Sequence, residues 1–266
     1  DNLRPINPNP SNWYLFGLTF FNFYYGMVTT TFGMILLPAE SEILWPHADS
    51  LWLGVSLLTI GVSQAFSPFA GHWSDTTKSS FGRRRPFIIG GSVVMSVSTI
   101  GLYFASANQI PWLFLVSLFI GTCGLNAANA ATNSLLPDMI GHEATGHASG
   151  MAAFNLLLGS IISFLFVVIY PEWPLHSCYW QFLIAAVICV PTVCLVARER
   201  PGSDFSPEHA RGVGGAFTKM KQVLTEPEYK DFLKVLVSRG YYNFAASVAS
   251  FLMFLLRDPI GVTNPS

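Results

Sequence analysis

Residues 71–91 read GHWSDTTKSSFGRRRPFIIGG, a short polar and basic connector between two long apolar stretches. The connector holds four of the fourteen Lys and Arg residues of the chain and a single acidic residue, Asp75. Each flanking stretch is apolar over about 20 residues, the length that an α-helix needs to cross the hydrocarbon core of a bilayer. This pattern is typical of two transmembrane helices joined by a basic loop, and it predicts a helical membrane protein.

The composition of the whole chain agrees with this interpretation. Hydrophobic residues make up 51% of the chain and charged residues 11%, whereas a soluble domain has about 25% charged residues. The formal net charge of −1 argues against a nucleic-acid partner, which would require a basic surface. We therefore expect an integral, multi-pass membrane protein in contact with the lipid bilayer, either of the plasma membrane or of an organelle.

Seven mostly apolar windows of about 20 or more residues give the predicted spans. They are 13–37, 51–73, 86–106, 111–136, 147–170, 176–197 and 231–256. The predicted fold is an all-α six-helix bundle followed by a seventh transmembrane helix. The predicted domains are an N-terminal tail (1–12), a six-helix domain (13–197), a cytoplasmic central loop (198–230) and the first helix of an incomplete second domain (231–266). We expect the rest of that second domain, or another membrane subunit, to complete the protein.

Basic residues in the connectors predict the orientation, because cytoplasmic loops carry an excess of Lys and Arg. The connectors between windows 1 and 2, 3 and 4, and 5 and 6 hold no Lys or Arg. The other two long connectors hold Lys78, Arg83, Arg84, Arg85, Arg198, Arg200, Arg211, Lys219, Lys221 and Lys230. The N-terminus is therefore predicted to be cytoplasmic.

The basic connector has features that topology alone does not explain. Gly71 and Asp75 are four residues apart and so share one helix face, and we expect Gly71 to permit close packing at the end of the second span. Pro86 suits the first turn of the third helix, which places Arg83–Arg85 just before its start. Cations at a helix N-terminus oppose the helix dipole, so these arginines need carboxylates, carbonyl ends of helices or lipid headgroups as partners.

The motif of this connector resembles a known signature. Gly71-x-x-x-Asp75 followed by Gly82-Arg83-Arg84-Arg85 resembles the 2–3 loop of the major facilitator superfamily. Its longer form, SDTTKSSFGRRRPFI, is similar to that of the glycoside–pentoside–hexuronide:cation symporters, which include plant sucrose transporters. LLPD (135–138) and LLRDPIG (255–261) also resemble that group.

The resemblance implies a transporter of two six-helix domains that rocks around a central site. It also implies a gating role for the connector, whose charge contacts hold one conformation and break as the protein rocks. The residues that would carry this role are Gly71, Asp75, Gly82, Arg83, Arg84 and Arg85. Their partners are expected in the second domain.

Polar residues inside the windows are the candidates for a solute cavity. Asn126, Asn129 and Asn133 share one helix face, and the other candidates are Asn22, Tyr25, Gln64 and Asn155. Amides both donate and accept hydrogen bonds, which suits a neutral polyhydroxylated solute such as a sugar or glycoside. The alternative is that these amides hold neighbouring helices together.

No carboxylate is expected inside the first six spans, because Glu40 falls in the connector after the first window. Coupling of transport to a proton would then depend on groups in the second domain. Otherwise the coupling ion would be sodium, or transport would not be coupled. No cofactor, metal site or enzymatic activity is predicted. The histidines that come nearest to a metal motif, His142 and His147, are five residues apart, whereas those of a zinc-protease helix are four apart. Two functions remain open, a carrier and a transport-inactive subunit of a larger membrane complex.

Overall fold

A computed structural model describes residues 10–77, 79, 81–170 and 172–197 of the chain. In the seventh window it describes residues 231, 233–234, 237–238, 241 and 248–251. The elements in this part of the chain are all helical. The central loop (198–230) and most of the seventh window therefore lie outside the described residues.

Six apolar helical segments lie where the first six windows predicted them. The first is broken, and the other five are each long and apolar enough to cross a membrane. They are span 1 (Asn12–Leu18 and Phe21–Leu44), span 2 (Asp49–Ser74), span 3 (Arg85–Ala107), span 4 (Pro111–Met139), span 5 (Thr145–Ile169) and span 6 (Leu175–Val196). The all-α membrane fold is thus confirmed, while the cytoplasmic N-terminus and the domain boundaries stay predictions.

Span 1 is bent by 49° between Leu18 and Phe21. At this break the Phe20 N–H bonds the carbonyl of Gly17, so the Phe16 carbonyl loses its regular helical partner. Asn155 of span 5 donates its Nδ2 to that Phe16 oxygen at 3.1 Å. Because a backbone group without a partner is costly in lipid, the side chain of span 5 stabilises the break.

Span 1 and span 2 each contain a second irregularity. Span 1 passes through one π-helical segment, Phe32–Leu36, before continuing to Leu44. Span 2 consists of the helices Asp49–Gln64 and Ser67–Thr76, and Pro68 lies in the first turn of the second of them. Proline has no backbone N–H to donate, which favours an interruption at this point.

Glycines bring two pairs of helices into direct backbone contact. In the pair of spans 1 and 5, a Cβ added to Gly159 would overlap the carbonyl of Phe23. In the pair of spans 3 and 4, a Cβ added to Gly91 would overlap the carbonyl of Gly124. Small residues at such crossings allow helices to pack closely in a membrane, where van der Waals contact drives much of their association.

Hydroxyl and amide groups connect spans 1, 5 and 6 inside the bundle. Thr30 and Ser160 share a hydrogen bond of 2.8 Å. The Thr31 hydroxyl donates to Ser163 at 2.5 Å, and Ser163 donates to Gln181 Oε1 at 2.8 Å. These interhelical bonds satisfy buried polar groups and hold span 1 against its two neighbours.

The bundle has two ends that differ in chemistry. We call the end that carries Arg83–Arg85 the arginine end, and the end at which spans 1 and 3 finish and span 6 begins the opposite end. The candidate solute cavity lies between them.

Candidate functional site

Spans 1 to 4 surround a cavity of about 330 Å³. Small-molecule sites usually have volumes of about 300–1,000 Å³, so this cavity is at the small end of that range. Most of its wall is apolar, formed by Val28, Phe32, Leu57, Ile60, Met95, Leu102, Leu118 and Leu125. Its polar side chains are Tyr25, Thr29, Gln64, Thr122 and Asn126. None of these lining residues is charged.

Span 1 contributes polar groups to the cavity on one helical face. Tyr25 and Thr29 are one turn apart, and the Thr29 hydroxyl donates to the carbonyl of Tyr25 at 2.8 Å. Phe32 and Gly33 continue the wall at the start of the π-helical segment. Such segments occur frequently at functional sites, and the first two residues of this one line the cavity.

Spans 2 and 4 supply the two amides of the cavity. Gln64 is the last residue of the first helix of span 2, and its side chain is exposed at the cavity. Asn126 of span 4 is buried and donates its Nδ2 to the Ser63 hydroxyl at 3.0 Å. Because Ser63 precedes Gln64, this bond holds both amides at the same level of the bundle.

The other predicted cavity residues do not line this cavity. Asn155 bonds span 1 at its break, as described above, and Asn22 donates its Nδ2 to the Thr19 carbonyl at 3.1 Å beside the same break. Asn133 is exposed and donates to Asn129 Oδ1 at 3.3 Å. Three of the seven predicted residues, Tyr25, Gln64 and Asn126, thus come together, and their role in binding a solute stays a prediction.

At the arginine end, one carboxylate binds two of the three consecutive arginines. Asp138 Oδ2 accepts hydrogen bonds from Arg83 Nη2 at 2.6 Å and from Arg84 Nε at 2.9 Å. The buried Arg84 also donates its Nη1 to the Ser74 hydroxyl at 3.1 Å. Arg85 donates its Nε to the carbonyl of Ala197, just after span 6, at 2.6 Å. The cluster therefore connects the ends of spans 2, 4 and 6 to the start of span 3.

These partners are of the expected kinds, a carboxylate and the carbonyl end of a helix. The bonds just described all join residues of the predicted six-helix domain (13–197), while the expectation of partners in the second domain stays a prediction, because most of that segment lies outside the described residues. The sequence offered one signal for Asp138, because the motif LLPD (135–138) lies just after the predicted fourth span. The pairing of Asp138 with Arg83 and Arg84 could not be predicted, because Asp138 lies 54 or more residues away from them in the sequence.

Gly82, Gly71 and Asp75 are the remaining predicted gating residues of the basic connector. Gly82 has a φ of 103°, which favours glycine because a Cβ would be strained there. The expectation of close packing at Gly71 is wrong for the described residues, since a Cβ at this position would have no neighbour within 4 Å. Asp75 lies in the helix Ser67–Thr76, and its side chain is outside the described residues. The gating role of the connector stays a prediction.

The expectation that no carboxylate is buried in the first six spans is wrong. Span 1 extends to Leu44, and Glu40 on its last turns has no exposed surface. The Tyr179 hydroxyl of span 6 donates to Glu40 Oε1 at 3.0 Å. A signal was present in the sequence, because four residues of this segment have the helical spacing i, i+3, i+4 and i+7 of a buried face. They are Leu37, Glu40, Ser41 and Leu44, all of which are buried.

Comparison with known proteins assigns the chain to a family. The family model of the Major Facilitator Superfamily matches residues 12–263. This chain belongs to the major facilitator superfamily. The resemblance seen in the basic connector is therefore confirmed, and the chain is an integral multi-pass membrane protein of this superfamily.

Several proteins of known name are similar to parts of this superfamily member. Sucrose transport protein SUC4 of Arabidopsis thaliana is 30% identical over 148 residues, covering 49% of this chain and 28% of the relative. The general alpha-glucoside permease of Schizosaccharomyces pombe is 25% identical over 229 residues, covering 73% and 40%. Solute carrier family 45 member 4 of Mus musculus is 26% identical over 220 residues, covering 75% and 27%. The matches thus span about a quarter to two fifths of the lengths of these relatives.

Proposed function

We propose that this chain carries the first six-helix domain of a transporter that moves a small neutral polar solute, a sugar or a glycoside, across a membrane by alternating access. The observation that carries the proposal is the cavity lined by spans 1, 2, 3 and 4. Among the described residues that line it, the polar groups are uncharged hydroxyls and amides, and the rest of the wall is apolar.

This lining suits the surface of a sugar. Hydroxyl groups of a sugar both donate and accept hydrogen bonds, and so do the side chains of Tyr25, Gln64 and Asn126. The apolar wall favours contact with the C–H faces of a sugar ring. A phosphate ester or an amino acid would place its charge among these side chains, and no described lining residue offers a counter-ion, which is costly in a buried site. The names of two relatives, a sucrose transport protein and an alpha-glucoside permease, support the same class of solute.

Alternating access requires a second domain, or another membrane subunit, that faces this cavity. We propose that Arg83 and Arg84 hold the first domain together through Asp138 as it rocks. The basic connector, with Gly71, Asp75 and Gly82, then forms the gate against the second domain. The alternative of a transport-inactive subunit is not favoured, since one of its supports was the absence of a buried carboxylate in the spans.

Uptake by the complete natural protein in proteoliposomes tests this proposal. We expect saturable uptake of a labelled neutral sugar and no uptake of hexose phosphates or hexuronates. Gln64→Leu should raise KM about fivefold, because one neutral hydrogen bond contributes about 1 kcal/mol. Asn108→Leu is the matched control, since Asn108 follows span 3 at the opposite end of the bundle.

Two results would contradict the proposal. The first is a wild-type protein that takes up charged sugars as well as neutral ones. The second is a stable copurifying assembly with no saturable uptake of any neutral sugar, which would favour the structural subunit.

A further inference from the structure

Two hydroxyl groups that line the cavity have already committed their protons. The Thr29 hydroxyl of span 1 donates to the Tyr25 carbonyl at 2.8 Å. The Thr122 hydroxyl of span 4 donates to the carbonyls of Leu118 and Phe119, at 2.7 and 3.1 Å. A hydroxyl has one proton and two acceptor lone pairs. Towards a solute, both hydroxyls therefore act as acceptors, because donation would first require these bonds to the helix backbone to break.

The direction of the Asn126 amide is determined by its neighbour Ser63. The buried Ser63 hydroxyl donates its one proton to the Ile60 carbonyl at 2.7 Å. Towards Asn126 it can therefore only accept, and it does so from Nδ2 at 3.0 Å. The two ends of an asparagine amide are assigned by such a network. Here the network leaves Oδ1, which accepts no hydrogen bond from the described residues, as the acceptor at the cavity.

The cavity thus has a set of oxygens that only accept hydrogen bonds, on two different spans. We call Thr29 Oγ1, Thr122 Oγ1 and Asn126 Oδ1 the acceptor set. A solute that brings hydroxyl protons to these atoms pairs them, whereas a solute that brings ether, carbonyl or fluorine atoms leaves them unpaired. Leaving a buried polar group unpaired weakens binding by about 5- to 150-fold. The same shape of solute is therefore accepted or rejected according to its protons.

We propose that the acceptor set recognises the hydroxyl protons of a neutral glycoside, and that Ser63 is the positioning residue that keeps Asn126 Oδ1 turned towards them. Ser63 is fully buried and is not among the lining residues, so it acts through Asn126. The inference rests on the proposed function and narrows it. Hydroxyl groups at the contacted positions are required as donors, and acceptor atoms in their place are rejected.

Equilibrium binding of sugar analogues to the complete natural protein tests the recognition of protons. The parent probes are sucrose and methyl α-glucoside, each compared with its monodeoxy and monodeoxyfluoro forms. Fluorine is close to a hydroxyl group in size but has no proton to donate. At one or more positions, the fluoro form should bind at least about fivefold more weakly than the parent and no more tightly than the deoxy form.

Two substitutions assign this loss to the acceptor set. Thr29→Val replaces a hydroxyl by a methyl group, so at one sugar position the fluoro form should bind as well as the parent, because no acceptor is left unpaired. Ser63→Ala frees the amide to turn Nδ2 towards the solute, so the loss caused by fluorine at a second position should fall below about twofold. Ser56→Ala is the matched control, since Ser56 is buried on the same span and its hydroxyl has no hydrogen-bond partner. It should keep the wild-type affinity ratios.

Each outcome decides part of the inference. Fluoro forms that bind as tightly as the parents at every position would overturn it, and so would wild-type ratios in both Thr29→Val and Ser63→Ala. A change in Thr29→Val alone would overturn the positioning role of Ser63. If Ser63→Ala is not monodisperse in detergent, Thr29→Val decides, since Thr29 is exposed at the cavity. A protein that binds neither parent overturns the inference, while uptake of other neutral sugars still decides the proposed function.

Discussion

Replacement of Asp138 by Asn should destabilise the bundle through the loss of one carboxylate charge. Asp138 is the acceptor for both Arg83 and Arg84, although the two arginines differ in exposure. The Arg83 side chain is 30% exposed and that of Arg84 is 6% exposed, against 37% for Asp138. The substitution keeps the size of the side chain, so its effect reports the charge.

The structure sets the magnitude of this effect. The pair with Arg83 is partly exposed, and such pairs contribute about 0–1 kcal/mol. The hydrogen bond from the buried Arg84 to a charged acceptor contributes about 1.5–3 kcal/mol, reduced here because the carboxylate itself is partly exposed to solvent. We expect Asp138→Asn to lower the free energy of unfolding by about 1–3 kcal/mol, which is roughly a 5- to 150-fold change in the unfolding equilibrium constant.

A double-mutant cycle in one detergent measures the interaction. Arg84→Gln should cost more stability than Arg83→Gln. Arg84→Gln combined with Asp138→Asn should cost less than the sum of the two single changes, by about 0.5–3 kcal/mol, because the residues are in direct contact. Asp231→Asn is the matched control, since Asp231 and Lys234 form an ion pair whose side chains are 93% and 77% exposed. It should leave stability unchanged.

The reasoning fails if the losses of stability caused by Arg84→Gln and by Asp138→Asn add up to the loss caused by the double change. It also fails if Arg83→Gln costs as much as Arg84→Gln, since burial would then not determine the strength of these bonds.

Two further substitutions test the contact between spans 1 and 5. Gly159→Leu should prevent recovery of monodisperse protein, because the new side chain would overlap the Phe23 carbonyl. Gly150→Leu on the same span should be tolerated, because a Cβ at that position has no neighbour within 4 Å. Equal yields of the two variants would contradict the close contact. Asn155→Leu removes the two hydrogen bonds that this amide donates to span 1 and should lower the free energy of unfolding by about 1–3 kcal/mol. Asn108→Leu removes one exposed hydrogen bond, to the Phe104 carbonyl at the end of span 3, and should have a smaller effect in the same thermal assay. A wild-type melting temperature for Asn155→Leu would show that the break does not depend on this amide.

The six spans could be predicted because their signal is local. A run of about 20 apolar residues identifies a transmembrane helix without reference to any other part of the chain. The end of span 1 was missed for the same reason. Pro38 and Glu40 gave the segment the appearance of a connector, whereas Tyr179, the hydrogen-bond partner of Glu40, is 139 positions away in the sequence.

The candidate site shows the same limit. Helical spacing correctly placed Asn126 and Asn129 on one face of span 4, but spacing does not state what that face contacts. Asn126 meets Ser63 and the cavity, while Asn129 bonds another side chain of its own span. Asn155 was chosen as a polar residue in an apolar span, yet its partner is a backbone carbonyl freed by a break. No proline marks that break, so it could not be recognised from the residues around it.

The direct backbone contact between spans 1 and 5 has a mechanical consequence. Where a carbonyl oxygen lies against a glycine, neither helix can roll or slide without a collision, because interiors packed this closely do not deform continuously. Spans 1 and 5 therefore form one rigid unit, and spans 3 and 4 form another. Span 1 of the first unit, spans 3 and 4 of the second and span 2 line the cavity, so a change in its width would require the two units to move relative to each other.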